Sequence, residues 1–365
     1  MKSFILAWSV FVAIAFIPAS VFSKSSFLSE AIADLDPVGQ DKIVAAAGAL
    51  VKAKSRPDRS ASGLAWECLA TIQLADLGYE GSLERLASIA DDMLLLAVKS
   101  PRSGKTIGWS SAAKNRACGF SEKNSQISSA CKGTDIVYAF QSGLGMACLV
   151  PASVLLQRSD LMNEAKDVMN YWRLRIKKAP CDDCVYFAMS DSPTDEDRYV
   201  RNMNLFLAFG ASELGVTAKL DELLVMAKRA VRSDIWEREN GNQGYLGKLD
   251  PLWTSRPGEA ERIENHSAFV AVLLTTMARK LSDQAFDRHA STVWRDWATC
   301  QNKRCQTTGC TYWAGDPSEC QATATAVHCA FRFRENAAKS KCTEYLARVE
   351  NVNAYGIWAI LQAHY

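Results

Sequence analysis

Two kinds of helix alternate along this chain, and their alternation constrains the fold more than any other feature. The first kind is amphipathic. From Ser159 to Lys178, Leu161, Ala165, Val168, Met169, Trp172 and Ile176 form an apolar stripe, with charges on the other face. From Thr217 to Val231 the stripe is Leu220, Leu223, Leu224, Ala227 and Val231. The second kind is apolar nearly all round and rich in small residues. Tyr138–Leu156 carries Gly143, Gly145 and Ala147; Leu205–Leu214 carries Ala208, Gly210 and Ala211; Ala268–Ala278 has no charge. A helix without a polar face must be covered on most sides.

The all-round apolar kind is predicted over 64–78, 134–156, 198–214, 263–281, 319–334 and 353–364. The amphipathic kind is predicted over 41–54, 82–99, 159–178, 217–234, 283–299 and 339–349. An inner and an outer layer of helices follow. An open solenoid of helical hairpins and a closed α/α toroid both satisfy this pattern. The irregular spacing and the long inserts 100–133, 235–262 and 300–318 favour the toroid. The predicted fold is therefore all-α, an α/α toroid of about six helical hairpins in a single domain over 24–365. Such a barrel has a cleft at the end where its long loops gather.

The N-terminus reads as an address. Lys2 precedes an apolar run from Phe4 to Ile17, which Pro18 breaks, and Val21 and Ser23 stand where a signal peptidase reads. Residues 1–23 are predicted to be a secretory signal, because the run is shorter than the ~20 residues of a spanning helix. No membrane association is expected after cleavage, and the expected location is secreted or periplasmic. All twelve cysteines lie beyond the signal. An even count in an exported chain predicts disulfides, with Cys118–Cys131 and Cys181–Cys184 as candidate local pairs. Cys181-Asp-Asp-Cys184 has metal-ligand spacing, but no second CxxC or nearby His completes a tetrahedral set.

The balance of charge is near neutral, 42 Lys+Arg against 40 Asp+Glu, so no nucleic-acid partner is expected. Nucleotide-binding, zincin and α/β-hydrolase motifs are absent. Of the four histidines, His289 lies beside Asp287 and Arg288 on an outer helix, which predicts a solvated ring, and His364 is terminal. His328 falls mid-helix. His266 falls where a loop becomes an inner helix, at the cleft end of a toroid. Neutral His is a suitable general base near pH 7.

Glu264-Asn265-His266-Ser267 resembles the Asn-His stretch that opens an inner helix in α/α-toroid polysaccharide lyases, the alginate lyases among them. The likeness covers about four residues, the architecture and export. Glu264 stands where that family has Asn, and Ala268 where it has Tyr. The resemblance implies β-elimination from an acidic, uronate-containing polysaccharide, with Asn265 neutralising the carboxylate, His266 and a Tyr moving protons, and an Arg assisting. No metal or cofactor is required. Asn265 also suits a helix N-cap and, with His266 and Ser267, an N-glycosylation sequon; His266 also suits a structural role.

A second cluster, Arg198-Tyr199-Val200-Arg201-Asn202, opens the preceding inner helix. Arg recognises carboxylates bidentately, and a helix N-terminus favours an anion. Pairing with Asp195, Glu196 or Asp197 is the competing reading. Tyr138 opens the inner helix before that. The predicted catalytic group is thus His266, Asn265, Arg201 and Tyr199, with Arg198, Asn202 and Tyr138 binding substrate. A glycoside hydrolase on the same fold, using Asp135 and Glu264, and a non-enzymatic scaffold binding a glycan or a protein are the alternatives.

Overall fold

The computed structural model describes residues 26–33, 35–54, 60–110, 136–193, 199–239, 265–303 and 352–364. Eleven helices lie in these segments: α1 (Ser26–Ala31), α2 (Pro37–Lys52), α3 (Ala61–Asp76), α4 (Ser82–Leu95), α5 (Ala139–Leu155), α6 (Ser159–Arg173), α7 (Arg201–Ala218), α8 (Asp221–Glu239), α9 (Asn265–Leu281), α10 (Gln284–Lys303) and α11 (Ala354–His364). Two short antiparallel hairpins interrupt them, β1 (Val98–Lys99) with β2 (Thr106–Gly108), and β3 (Ile176–Lys178) with β4 (Val185–Phe187).

The all-round apolar helices form the inner ring. Helix α3 packs on α5, α5 on α7, α7 on α9, α9 on α11, and α11 back on α3. The amphipathic helices lie outside, α4 against α3, α6 against α5, α8 against α7 and α10 against α9. This is the α/α toroid that the two helix types predict. The predicted fifth inner helix, 319–334, and the outer helix after it, 339–349, fall outside the described residues. So do the signal segment 1–23 and the candidate pair Cys118–Cys131.

Each element has a local cause. Asp36 and Ser60 accept the backbone N–H groups of Gly39 and Gly63, which caps α2 and α3, and Pro37 occupies the first position of α2. Lys219, at φ 56°, ends α7 in the left-handed region. The closest inner crossing is α5 on α7. A Cβ on Gly143 would stand 2.1 Å from the Phe206 carbonyl oxygen, and one on Gly210 would stand 2.5 Å from the Gly143 carbonyl oxygen. Two facing glycines therefore set this approach.

Inner helices pass to outer ones through short turns, at 77–81, 156–158, 219–220 and 282–283. Short turns make the partners antiparallel. In sequence the long connections 96–138, 174–200 and 240–264 each precede the N-terminal end of an inner helix. The hairpins belong to these connections. A disulfide between Cys68 and Cys148 ties α3 to α5 within the inner ring, across a sequence separation of 80. A second, Cys181–Cys184, closes the turn between β3 and β4. Among the described residues no cysteine is free, and no helix is long and apolar enough to cross a membrane.

Candidate functional site

Four inner helices place an aromatic side chain within their first two turns: Trp66 on α3, Phe140 on α5, Phe206 on α7, and Tyr355 and Trp358 on α11. These rings meet. Trp66 lies with its centroid 5.8 Å from Phe206, 4.8 Å from Tyr355 and 5.4 Å from Trp358, and Phe140 lies 4.5 Å from Phe206. Helix α5 stands between α3 and α7 in the ring, so the Trp66–Phe206 contact crosses the barrel interior. Phe206, Tyr355 and Trp358 are buried, whereas Trp66 and Phe140 remain partly exposed. The inner helices therefore carry a shared aromatic cluster near their N-terminal ends, called the aromatic basin below, with Trp66 and Phe140 as its partly exposed members. Burial pushes the Tyr355 hydroxyl pKa well up, which keeps it neutral and able to donate a hydrogen bond.

Polar groups on the inner helices divide by face. Asn202 stands one turn before Phe206 on α7 and shares its face; its Oδ1 accepts the N–H of Met203 at 2.9 Å. Arg201, one position earlier, points to the outer layer. It is 2% exposed, with Nε 2.6 Å from Asp234 Oδ1 and Nη1 3.0 Å from Glu237 Oε2, both on α8. The other Asp234 oxygen lies 2.6 Å from Nε2 of His289 on α10. On α3 the same division holds. Trp66 turns inward, while buried Glu67 receives Arg85 of α4 at 2.6 Å.

Two expectations change here. Arg201, expected on the cleft, is enclosed between layers by two carboxylates, because its place on α7 is turned about 100° from that of Asn202. His289, expected to be solvated, is buried against Asp234. The acidic partners of Arg201 on the following helix are Asp234 and Glu237, while the local run Asp195, Glu196 and Asp197 lies outside the described residues. Burial by itself would raise the Asp234 carboxyl, but Arg201 and His289 together hold it well below the usual carboxylate range.

Tyr138 forms the N-terminal boundary of α5 and is buried; its backbone pairs with Ser190 in an isolated bridge. Asp191 next to that bridge accepts the N–H of Val137 at 3.0 Å and the Tyr171 hydroxyl at 2.8 Å. Arg175 lies 3.6 Å over the Tyr171 ring. This chain of contacts fixes the start of α5, and so the place of Phe140. Tyr199 is buried in a small separate cluster, edge-on to Tyr186 of β4 at 5.4 Å and beside Cys184. The structure thus sets Tyr199 under the second hairpin and Asn202 beside the aromatic basin.

Asn265 and His266 are the first two residues of α9, as expected for an inner-helix opening. The register position of His266 recurs about four turns later at Lys280. Lys280 pairs with Glu213, two turns beyond Phe206 on the same face of α7. Arg198, Asp135 and Glu264 lie outside the described residues. The aromatic basin itself was not anticipated. Its signal was present as an aromatic residue in the opening turns of four inner helices, at Trp66, Phe140, Phe206 and Tyr355. Among the described residues no group of three or more His, Cys, Asp or Glu is placed to hold a metal ion.

No protein-family model and no curated protein matches this sequence. Solved structures do match its fold. Cellobiose 2-epimerase from Spirochaeta thermophila superposes with a TM-score of 0.58 at 12% identity, over 95% of this chain and 98% of that one. A D-mannose isomerase gives a TM-score of 0.53 at 12% identity, over 89% and 84% of the two chains. A GH76 α-mannanase from Bacteroides thetaiotaomicron gives 0.51 at 8% identity, over 92% and 97%. At such identities the likeness is one of fold.

Proposed function

We propose that this chain is a carbohydrate-active enzyme whose sugar sits in the aromatic basin, with His266 as its acid–base group. The observation that carries this reading is the partly exposed Trp66, backed by Phe206, Tyr355 and Trp358. A pyranose presents an apolar face of C–H groups, which packs on an indole, while its hydroxyls need donors and acceptors at the edge. In this reading Asn202, one turn before Phe206, and the opening of α9 supply them. Structures named as a cellobiose 2-epimerase, a D-mannose isomerase and a GH76 mannanase share the fold, which supports a sugar as substrate.

The chemistry follows from what surrounds the basin. A neutral His takes a proton from a carbon next to a carbonyl, and the negative charge that develops needs a fixed donor. The N-terminal end of α9 supplies a positive dipole end beside His266. Isomerisation or epimerisation of a neutral reducing sugar uses this step. Elimination from a uronate begins in the same way but must also neutralise a carboxylate. With Arg201 enclosed by Asp234 and Glu237, the neutral sugar is the better-supported substrate. The Asn265-His266 opening of α9 supports the lyase as a second reading, in which Asn265 meets the carboxylate.

One experiment separates these outcomes. The protein is incubated in D2O with a panel of neutral aldoses, disaccharides and uronate polymers, followed by proton NMR and ultraviolet absorbance. The proposal expects deuterium at the carbon next to the carbonyl and a new sugar isomer. An absorbing unsaturated product from uronates favours the lyase, and cleavage without deuterium at that carbon favours a hydrolase. No change in any sugar, with no binding, overturns the proposal.

A further inference from the structure

The Cys181–Cys184 bridge stands apart from the sugar basin and differs from the Cys68–Cys148 bridge in two respects. Cys68 and Cys148 are both fully buried, and their bond ties two inner helices across a long stretch of sequence. Cys184 is buried, but Cys181 is partly exposed at the tip of a surface hairpin, with Asp182 and Asp183 exposed between them. The closed loop is short, so the bond contributes little chain entropy to stability.

The turn is also held by contacts independent of sulfur. The three paired positions of β3 and β4 continue into Ala179 N–H to the Cys184 carbonyl at 3.2 Å and Cys184 N–H to the Cys181 carbonyl at 3.3 Å. Asp183 sits at φ 56°, in the left-handed region, and is gripped at 2.8 Å by both Arg229 and Arg232 of α8. Opening the disulfide leaves these contacts in place, so the two sulfurs stay near enough to join again. The two guanidiniums offset the Asp182 and Asp183 carboxylates, so the turn carries no excess negative charge to repel an attacking thiolate.

We propose that Cys181–Cys184 is a reversible thiol–disulfide exchange site for small thiols, with Cys181 as the sulfur attacked. A thiolate from the small thiol forms a bond to Cys181 Sγ, and the Cys181–Cys184 bond breaks. Cys184 Sγ leaves with the electron pair and takes a proton from water. With a dithiol, its second thiolate attacks the reagent sulfur of the mixed disulfide and frees Cys181. The protein disulfide gains two electrons and two protons, and the dithiol closes to its cyclic disulfide. The Cys181–Cys184 bridge packs against Tyr186 and Tyr199, just before α7.

The test is a titration of the native protein with dithiothreitol, quenched with iodoacetamide and read by peptide mass mapping beside circular dichroism. Cys181 and Cys184 are expected to be alkylated at about tenfold lower reductant than Cys68 and Cys148, with helix content unchanged and the bridge restored by oxidised glutathione once the dithiothreitol is removed. Opening only together with Cys68–Cys148 and with loss of helix overturns the proposal, as does failure to re-form. Single variants identify the attacked sulfur. With oxidised glutathione, Cys184→Ser should take an adduct on Cys181 at least about tenfold faster than Cys181→Ser takes one on Cys184. Equal rates, or the reverse order, contradict the assignment of Cys181.

Discussion

Trp66 and Phe206 meet edge-on with their ring centroids 5.8 Å apart, although α5 separates their helices in the inner ring. A contact between non-neighbouring helices of a ring passes through its interior. This places the partly exposed indole inside the ring, near the end where the inner helices begin. Trp66→Ala should therefore weaken sugar binding, raising KM about tenfold, or ~1.4 kcal/mol, with a smaller effect on kcat. Steady-state kinetics on the preferred sugar check this, with Trp66→Phe restoring most of the affinity.

Arg201 gives the opposite expectation. Removing one member of a buried ion pair leaves the others without their partner and typically costs about 3–5 kcal/mol. Arg201→Leu should lower stability by that order and leave the KM of the folded fraction nearly unchanged. Denaturant melts and kinetics on the same preparation measure both. A large rise in KM on uronates alone, without loss of stability, would return Arg201 to substrate binding.

Acid should reveal the same cluster. Asp234 is held below the usual carboxylate range, so it binds protons less readily in the folded chain than in the unfolded one. Its contribution is complete above the unfolded value of about 3.9 and is lost as pH falls from there toward the depressed folded value. The stability difference between the parent protein and Asp234→Asn should be constant near neutrality and shrink below about pH 4. Urea unfolding across that range gives the curve.

The Cys68–Cys148 bridge closes a loop with sequence separation 80. Chain entropy assigns such a bridge about 4–5 kcal/mol. Cys68→Ala with Cys148→Ala should cost about that much in equilibrium unfolding and leave the helical circular-dichroism spectrum in place. A loss below about 1 kcal/mol would mean that packing alone holds α3 against α5.

The layers were legible because burial imposes periodicity. An inner helix covered on most sides, such as α5, shows no polar stripe, while α6 shows one clear stripe. Arg201 escaped the same logic, because a charge on an inner helix can be covered by charges on the next outer helix. Asp234 and His289 read as ordinary outer-helix polar residues. The distance between them in sequence hides that they meet. The Cys68–Cys148 pairing was hidden for the same reason. Cys181–Cys184 was readable because both cysteines lie in one turn, and the opening of α9 at Asn265 because an Asn precedes an uncharged apolar run.

In the proposed reaction a sugar bound over Trp66 loses a proton to His266. This step is tested most directly by the rate of deuterium exchange at the carbon next to the sugar carbonyl, measured by NMR at saturating sugar for the parent protein and for His266→Ala. A fall of about 10²–10⁴-fold is expected in the variant, with sugar affinity and melting temperature close to those of the parent. Exchange at the parental rate in a folded His266→Ala protein would contradict it.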